Sequence, residues 1–320
     1  MYLNILYFLI GLGLIIKGAD WLTDGASSIA RRLNISSLVI GLTIVAFGTS
    51  APELVVSLIS GIEGKSDIAI GNVVGSNIFN TLAIAGITAL IYPISCHKST
   101  LHFDLPVCIL ASTLLLALVS DTFLFCKSTN IITQLDGLIL LLLFILFMYH
   151  SFRSNKSTSS DTSNIEKEMP IYKAIILFII GLACLIFGGD MFVDGASGIA
   201  SWLGVSQSTI ALTIVAAGTS FPELVTSIVA ARKGDTDMAL GNVIGSNIFN
   251  IFLILGLSSM IHPLELGTVK HFNIMLLVVS SIMMYLFGIL GKRKNYITRS
   301  EGLTLTIMAT CYYTYVVIFN

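Results

Sequence analysis

The sequence predicts an all-α polytopic membrane protein with ten transmembrane helices in two inverted five-helix repeats. Three observations lead to this fold class: the composition, the number of long apolar segments and an internal repeat. The chain of 320 residues is 55% hydrophobic and 11% charged, with a mean hydropathy of +0.91, which is far outside the range of soluble domains. The formal net charge of −1 indicates no nucleic-acid partner, so the expected environment is the lipid bilayer.

Ten segments are apolar over about the 20 residues that a membrane-spanning helix needs. They are 2–22, 37–60, 67–92, 101–119, 131–150, 171–189, 207–231, 237–262, 271–290 and 302–319.

The basic residues between these segments predict the orientation, because cytoplasmic loops carry an excess of Lys and Arg. With the N-terminus outside, the inside loops hold Arg31, Arg32, Lys98, Arg153, Lys156, Lys167, Arg232, Lys233, Lys292, Arg293, Lys294 and Arg299. The outside loops then hold only Lys65, Lys127 and Lys270. We therefore expect a multi-pass protein of the prokaryotic cell (inner) membrane, with both termini outside and loop 151–170 cytoplasmic.

An internal repeat with a constant offset of 170 positions organises the chain. The stretch "GADWLTDGASSIA" (18–30) matches "GGDMFVDGASGIA" (188–200), and "IGNVVGSNIFN" (70–80) matches "LGNVIGSNIFN" (240–250). The repeat predicts a first five-helix unit at 1–150, a cytoplasmic linker at 151–170 and a second unit at 171–320. Because five spans are an odd number, the second unit enters the membrane in the opposite sense, an arrangement typical of secondary transporters.

Each repeat carries an acid in the middle of a span. The segments "TIVAFGTSAPELV" (43–55) and "TIVAAGTSFPELV" (213–225) place Glu53 and Glu223 near the bilayer centre. An ionised group there is costly unless it is paired or faces a wet cavity, and spans 2, 3, 7 and 8 contain no Lys or Arg. Two carboxylates that approach each other favour a hard divalent cation, which prefers oxygen ligands.

The residues around each acid predict further oxygen ligands. Pro52 and Pro222 lack an N–H, so helices 2 and 7 are expected to break near Gly48 and Gly218 and to free nearby carbonyl groups. Hydroxyl groups come from Thr49, Ser50, Thr219 and Ser220. Irregular backbone at this depth is tolerated where it lines a cavity.

The second motif places polar residues along one face of spans 3 and 8. Ser76 and Asn80 are four residues apart and share a helical face, as do Ser246 and Asn250. Asn72 and Asn242 fall on the same stripes. The acids Asp20, Asp24, Asp190 and Asp194 are interpreted as polar residues at the ends of spans 1 and 6.

Together, "AFGTSAPELVVS", "AAGTSFPELVTS", "GNVVGSNIFN" and "GNVIGSNIFN" resemble the two alpha-repeats of the calcium/cation antiporter superfamily, and within it the prokaryotic sodium/calcium exchanger branch. The resemblance covers both halves of the chain. It implies a core of spans 2, 3, 7 and 8 around four cation sites, a gating pair formed by spans 1 and 6, and a functional monomer. The ions Ca²⁺ and Na⁺ are the implied substrates, and no cofactor is implied.

The resemblance also implies roles for individual positions. Glu53 and Glu223 would coordinate Ca²⁺, and Thr49 and Thr219 would complete that site through backbone oxygens. One Na⁺ site would use Ala46, Thr49, Ser50, Glu53 and Ser246, and its symmetry mate Ala216, Thr219, Ser220, Glu223 and Ser76. Asn80 and Asn250 would occupy the middle site.

One departure from the family pattern affects the charge of the site. Exchangers of this type often carry an Asp at one middle position, whereas this chain has Asn80 and Asn250. Two carboxylates are neutralised by one Ca²⁺ or two Na⁺, and a third Na⁺ would leave a net positive charge at low dielectric. The hypothesis is that the stoichiometry or the counter-ion differs from the family expectation.

Three other functions compete with Na⁺/Ca²⁺ exchange. A Ca²⁺/H⁺ antiporter could use the same two glutamates, although the neighbouring Ser hydroxyls favour Na⁺. A cation channel would need no counter-ion. An intramembrane enzyme is disfavoured because the sequence has no HExxH motif and no Ser–His pairing, so the chain is predicted not to be an enzyme.

Overall fold

A computed structural model of the protein describes residues 2–33, 35–121, 129–154, 169–204 and 216–319. Its helices are α1 (Tyr2–Leu33), α2 (Ser37–Thr49), α3 (Ala51–Ile62), α4 (Ser66–Ile91), α5 (Thr100–Leu118), α6 (Gln134–Ser154), α7 (Ile171–Trp202), α8 (Ala216–Gly218), α9 (Phe221–Arg232), α10 (Thr236–Ile261), α11 (His271–Leu290) and α12 (Arg299–Phe319). Four two-residue strands are β1 (Ile94–Ser95), β2 (Ile131–Ile132), β3 (Leu264–Glu265) and β4 (Tyr296–Ile297).

The all-helical membrane architecture is confirmed. Within the described ranges, 7 helices are long and apolar enough to cross a membrane, and the bent pair α2–α3 makes up to 8. The first 9 residues of the predicted span 207–231 fall outside the described residues. Helix α12 has the position predicted for the last span, but it is not among these candidate spans. The number of ten spans therefore stays a prediction.

Helices α2 and α3 form one broken span, as the Gly and Pro residues predict. They meet at Ser50 with a bend of 50°, and Pro52 lies in the first turn of α3. Because Pro52 has no N–H, the carbonyl group of Gly48 loses its helical donor. The first part of α9 repeats this arrangement, with Pro222 in its first turn after Ser220.

Several helices contain short π-helical stretches, a feature that is frequent at functional sites. They are Gly41–Val45 in α2, Phe79–Ile84 in α4, Thr100–Asp104 in α5 and Phe249–Leu255 in α10. Asn80 and Asn250 are each the second residue of such a stretch. The turns that carry the two middle-site candidates are thus wider than α-helical turns.

The strands join loops that are distant in the sequence. Strand β1 pairs antiparallel with β4, and β2 pairs antiparallel with β3. Positions 94 and 264, which start β1 and β3, differ by the repeat offset of 170 residues. Each pair therefore ties one repeat to the other at the helix ends.

Helices α1 and α7 pack closely along a row of glycines. Gly11, Gly18 and Gly25 in α1 match Gly181, Gly188 and Gly195 in α7 at the repeat offset, and successive members are seven positions apart. An added Cβ at Gly18 would lie 2.8 Å from the carbonyl oxygen of Gly181. The backbones approach this closely only because side chains are missing along the contact.

Candidate ion-binding site

The two predicted acids lie at equivalent places in the two halves. Glu53 is in the first turn of α3 and Glu223 in the first turn of α9, directly after the two helix breaks. Each is only 1% exposed. Oε2 of each carboxylate has no hydrogen-bond partner among the described residues. Each acid thus keeps one oxygen free for a ligand.

Serine hydroxyls connect each acid to the opposite half of the chain. Ser50 Oγ donates to Glu223 Oε1 at 2.9 Å, and Ser220 Oγ donates to Glu53 Oε1 at 3.0 Å. Ser76 Oγ donates to Glu53 Oε1 at 3.3 Å. Because Ser50 and Ser220 each lie three residues before an acid, these crossed bonds bring both carboxylates to one shared centre.

The two threonines of the motif have different surroundings. Thr49 is fully buried, and its hydroxyl lies 3.1 Å from Val45 O and 3.2 Å from Asn242 Oδ1. Thr219 Oγ1 is buried without a partner in the part of the chain that the structure describes. The two halves are therefore not equivalent at this position.

The breaks in the two helices release fewer backbone carbonyl groups than the sequence predicts. The Ser50 N–H donates to Ala46 O at 3.0 Å, so the carbonyl group of Ala46 keeps a helical bond. In the second half the Ser220 N–H donates to Ala217 O at 3.2 Å, and Ala216 is the first residue of α8. The prediction that the carbonyl groups near Ala46 are all released is therefore wrong for Ala46, whose oxygen also lies 3.4 Å from the Thr49 hydroxyl.

Asn72 and Asn242 donate hydrogen bonds to the backbone oxygens of the two acids. Asn72 Nδ2 donates to Glu53 O at 3.3 Å and to Ser57 Oγ at 3.0 Å. Asn242 Nδ2 makes the equivalent bonds to Glu223 O at 3.3 Å and to a serine hydroxyl at 3.0 Å. The sequence places both amides on the ligand stripe, but only the structure reveals that they hold the turn that presents each acid.

The middle-site candidates contribute free amide oxygens. Asn80 and Asn250 are each 1% exposed, and Oδ1 of both lacks a partner among the described residues. Ser246 Oγ is likewise buried without one. Buried polar groups are normally hydrogen-bonded, and buried oxygens without a partner are the type of ligand that a hard cation prefers. Within the described residues no group of three or more His, Cys, Asp or Glu forms a metal cluster.

A polar cluster joins α1 to the residue that follows α9. Lys233 Nζ, after α9, lies 2.8 Å from Asp24 Oδ1, 3.4 Å from Asp20 Oδ1 and 2.9 Å from Thr23 Oγ1. We call Lys233, Asp20, Thr23 and Asp24 the Lys233 cluster.

The four acids interpreted as end caps of spans 1 and 6 lie inside their helices. Helix α1 continues to Leu33 and α7 to Trp202. The capping interpretation is therefore wrong for Asp20, Asp24, Asp190 and Asp194.

Asp235 adds a second contact beside the Lys233 cluster. Its Oδ1 accepts from Met238 N at 3.0 Å and caps α10, and its Oδ2 accepts from Ser27 Oγ at 3.2 Å. Burial raises the pKa of Asp235, while its hydrogen bonds act in the opposite direction. This carboxyl therefore joins α1 to the start of α10.

Apolar helices around a buried pair of carboxylates are typical of proteins that carry ions across membranes, and comparison with known proteins gives the family. The sodium/calcium exchanger protein family matches residues 3–153 and 173–319. The sodium/calcium exchanger MaX1 of Methanosarcina acetivorans is 35% identical over 94% of this chain and 95% of its own length. The inner membrane protein YrbG of Escherichia coli is 36% identical over 87% of each chain.

A solved structure agrees with these relatives. The sodium-calcium exchanger NCX_Mj, soaked with 10 mM Na⁺ and 10 mM Sr²⁺, superposes with a TM-score of 0.82 at 36% identity, covering 97% of this chain and 98% of that one. The chain belongs to the sodium/calcium exchanger family, within the prokaryotic branch of the calcium/cation antiporter superfamily. Its relatives are transporters.

Proposed function

We propose that this protein is a secondary active antiporter that exchanges Ca²⁺ for Na⁺ at the site between Glu53 and Glu223. The observation that carries the proposal is the pair of crossed bonds from Ser50 and Ser220. They hold two buried carboxylates at one centre with no basic side chain in the surrounding spans. Both ions would compete for the same oxygens, which couples their transport.

The ligand set extends from the acids to the neutral oxygens around them. Both acids would bind Ca²⁺ through the free Oε2 atoms, and the backbone oxygens at Thr49 and Thr219 would complete its shell. The flanking oxygens would hold Na⁺ and come from Ala46, Ser50 and Ser246 on one side and from Ala216, Ser220 and Ser76 on the other. Asn80 and Asn250 would supply the middle oxygens.

The two halves, 1–150 and 171–320, would be inverted repeats joined by a cytoplasmic linker at 151–170. The mirrored bonds of Asn72 and Asn242 support this symmetry. The strand pairs support the orientation: β1 and β4 come from loops that the basic residues assign to the cytoplasm, and β2 and β3 from loops assigned to the outside. We place the protein in the cell (inner) membrane with both termini outside, and we infer a functional monomer.

Alternating access would move the pair α1–α7 relative to the core. In this conformation α1 is bound to the second half through Lys233 and Asp235. The repeat mates of Lys233 and Asp235 are Glu63 and Lys65, which pair with each other at 2.7 Å. We infer that the contacts of Lys233 and Asp235 close the proposed cytoplasmic face, since among the described residues Glu63 and Lys65 make no matching contact with α7. A gate that closes only over neutralised acids would prevent leakage, because moving bare carboxylates past apolar walls is costly.

The second candidate function is Ca²⁺/H⁺ antiport through the same glutamates. The serine hydroxyls on Oε1 of each acid favour Na⁺, because they add neutral oxygens that a proton does not need. Uptake of radiolabelled Ca²⁺ into proteoliposomes, driven by a Na⁺ gradient or by a pH gradient, separates the two. We expect uptake with the Na⁺ gradient; uptake that follows the pH gradient in Na⁺-free buffer supports the alternative.

A further inference from the structure

The amides of the "SNIFN" segments form a buried network that does not follow the repeat symmetry. Asn77 Nδ2 donates to the backbone oxygen of Asn247 at 3.1 Å, and Asn250 Nδ2 donates to Asn77 Oδ1 at 2.8 Å. The repeat mate of Asn77 is Asn247, whose Nδ2 instead donates to Thr81 Oγ1 at 2.8 Å. Asn77 and Thr81 are fully buried, and the other two residues are 1% exposed.

The orientation of each amide in this chain of bonds follows from its neighbour. A backbone carbonyl group can only accept, so Asn77 must turn its Nδ2 toward Asn247 O. Its Oδ1 then faces Asn250. Because this oxygen can only accept a hydrogen bond, Asn250 must turn its Nδ2 toward it. Asn250 Oδ1 is consequently turned away from Asn77, and it is buried with no partner among the described residues.

The other half lacks this arrangement because of one sequence difference. Thr81 corresponds to Ile251 at the repeat offset. The Thr81 hydroxyl donates to Asn77 O at 2.8 Å, so its oxygen faces the amide of Asn247 as an acceptor. Ile251 offers no such acceptor to Asn77. As a result Asn247 bonds to Thr81, and no described bond joins it to Asn80.

We propose that Asn77 is a positioning residue that fixes the Asn250 amide with its oxygen toward the transported cation, whereas Asn80 has no such support. The inference rests on the proposed ion site. Without Asn77 the Asn250 amide is free to rotate and to present its NH₂ group, which repels a cation. With Asn77 in place the middle site is therefore asymmetric: Asn250 is a preoriented neutral ligand, whereas Asn80 is an adjustable one.

A double-mutant cycle on purified protein tests the inference, because it isolates the coupling between two residues from their separate effects. Ca²⁺ binding and its competition by Na⁺ are measured by calorimetry for wild type, Asn77→Ala, Asn250→Ala and the double variant. We expect Asn77→Ala to weaken Na⁺ binding about 3- to 10-fold, the value of one hydrogen bond. We expect no further loss when Asn77→Ala is added to Asn250→Ala.

The matched control is the same cycle on the repeat mates, Asn247→Ala with Asn80→Ala. These two changes should be independent to within about 2-fold. A general loss of packing would weaken ion binding alike in both cycles, whereas the proposal requires coupling between the two residues in the first cycle only. If Asn77→Ala does not fold, Asn77→Ser replaces it, since a hydroxyl group keeps the buried site polar.

The outcomes separate this inference from the proposed function. Independent effects of Asn77 and Asn250, or equal coupling in the two cycles, overturn the positioning role. A wild-type protein that binds Ca²⁺ without competition from Na⁺ contradicts the proposed exchange instead, whatever the cycles give.

Discussion

The pair Glu53 and Glu223 combines deep burial with the absence of any basic partner among the described residues. Two like charges in a low-dielectric site repel each other, so the empty site costs free energy that a bound cation recovers. Serine hydroxyls on Oε1 leave Oε2 of each acid available. The two carboxylates therefore suit cation binding, and their repulsion lowers the stability of the fold when no cation is bound.

Replacing Glu53 by Gln should separate the two properties. We expect Glu53→Gln to lower Ca²⁺ transport at least about 100-fold, because even residues behind a metal ligand cost 10- to 100-fold. Without Ca²⁺ the variant should be at least as stable as wild type, since one of two repelling charges is gone. The rise in Tm that Ca²⁺ gives wild type should vanish.

The control for this variant is Glu63→Gln, which changes an exposed acid in the same chain segment. It should keep both transport and the Ca²⁺-dependent rise in Tm. Normal Ca²⁺ transport by Glu53→Gln, or loss of transport in both variants, contradicts the role of Glu53.

The sequence singles out the two acids and the hydroxyls beside them because such groups are costly in a bilayer, whereas the middle-site role of Asn80 and Asn250 is implied by the family resemblance. It does not predict the bond from Asn72 to the backbone of Glu53 or the bond between Asn77 and Asn250. Both depend on which helix lies opposite, and a single helical face does not contain that information. A buried Asn in mid-span needs a partner, and this requirement is the signal that points to Asn77.

At the scale of helices, the glycine row between α1 and α7 determines how closely these two helices approach. We expect Gly18→Ala to destabilise the protein by about 1–3 kcal/mol, because its Cβ would lie 2.8–3.0 Å from atoms of α7. Gly13→Ala is the matched control: no atom lies within 4 Å of its Cβ, and an alanine there should stabilise α1 by about 0.5–1 kcal/mol.

Thermal unfolding of both glycine variants in the same detergent checks this difference. Similar Tm values for Gly18→Ala and Gly13→Ala would show that the close contact of α1 and α7 does not exist.

The Lys233 cluster should hold α1 against the second half. Lys233→Met removes contacts to Asp20, Thr23 and Asp24, and we expect hydrogen exchange in residues 20–33 to become about 2- to 5-fold faster. The effect is modest because partly exposed ion pairs contribute about 1 kcal/mol or less. Arg232→Met, a change at the exposed neighbour, should leave exchange in this segment unchanged, and equal exchange rates in the two variants would contradict the closing role.

The lengths of the apolar segments predict the helices themselves, but they predict the helix boundaries less accurately. The sequence ends span 1 near residue 22, whereas α1 continues to Leu33. Its polar last turns are stabilised by bonds such as Ser27 to Asp235, and hydropathy alone does not register such contacts. The break at Ser50 is predicted correctly because Pro52 removes a specific backbone donor.

For the whole molecule, we expect the charge of the proposed site to determine how many Na⁺ exchange for one Ca²⁺. With Asn80 and Asn250 neutral, one Ca²⁺ or two Na⁺ match the two carboxylates. Charge balance alone favours two Na⁺ per Ca²⁺, so the exchange equilibrium should not change with membrane potential. Reversal-potential measurements in liposomes test this prediction, and an equilibrium that shifts with the imposed voltage contradicts it.

The central claim is that Na⁺ and Ca²⁺ compete for one site built from both halves of the chain. Its most direct test is radiolabelled Ca²⁺ uptake into proteoliposomes loaded with Na⁺, comparing wild type with Glu223→Gln. We expect rapid uptake by wild type only when Na⁺ is inside and Na⁺-free buffer is outside, and background uptake by the variant. Equal uptake with no Na⁺ gradient, or undiminished uptake by Glu223→Gln, would contradict it.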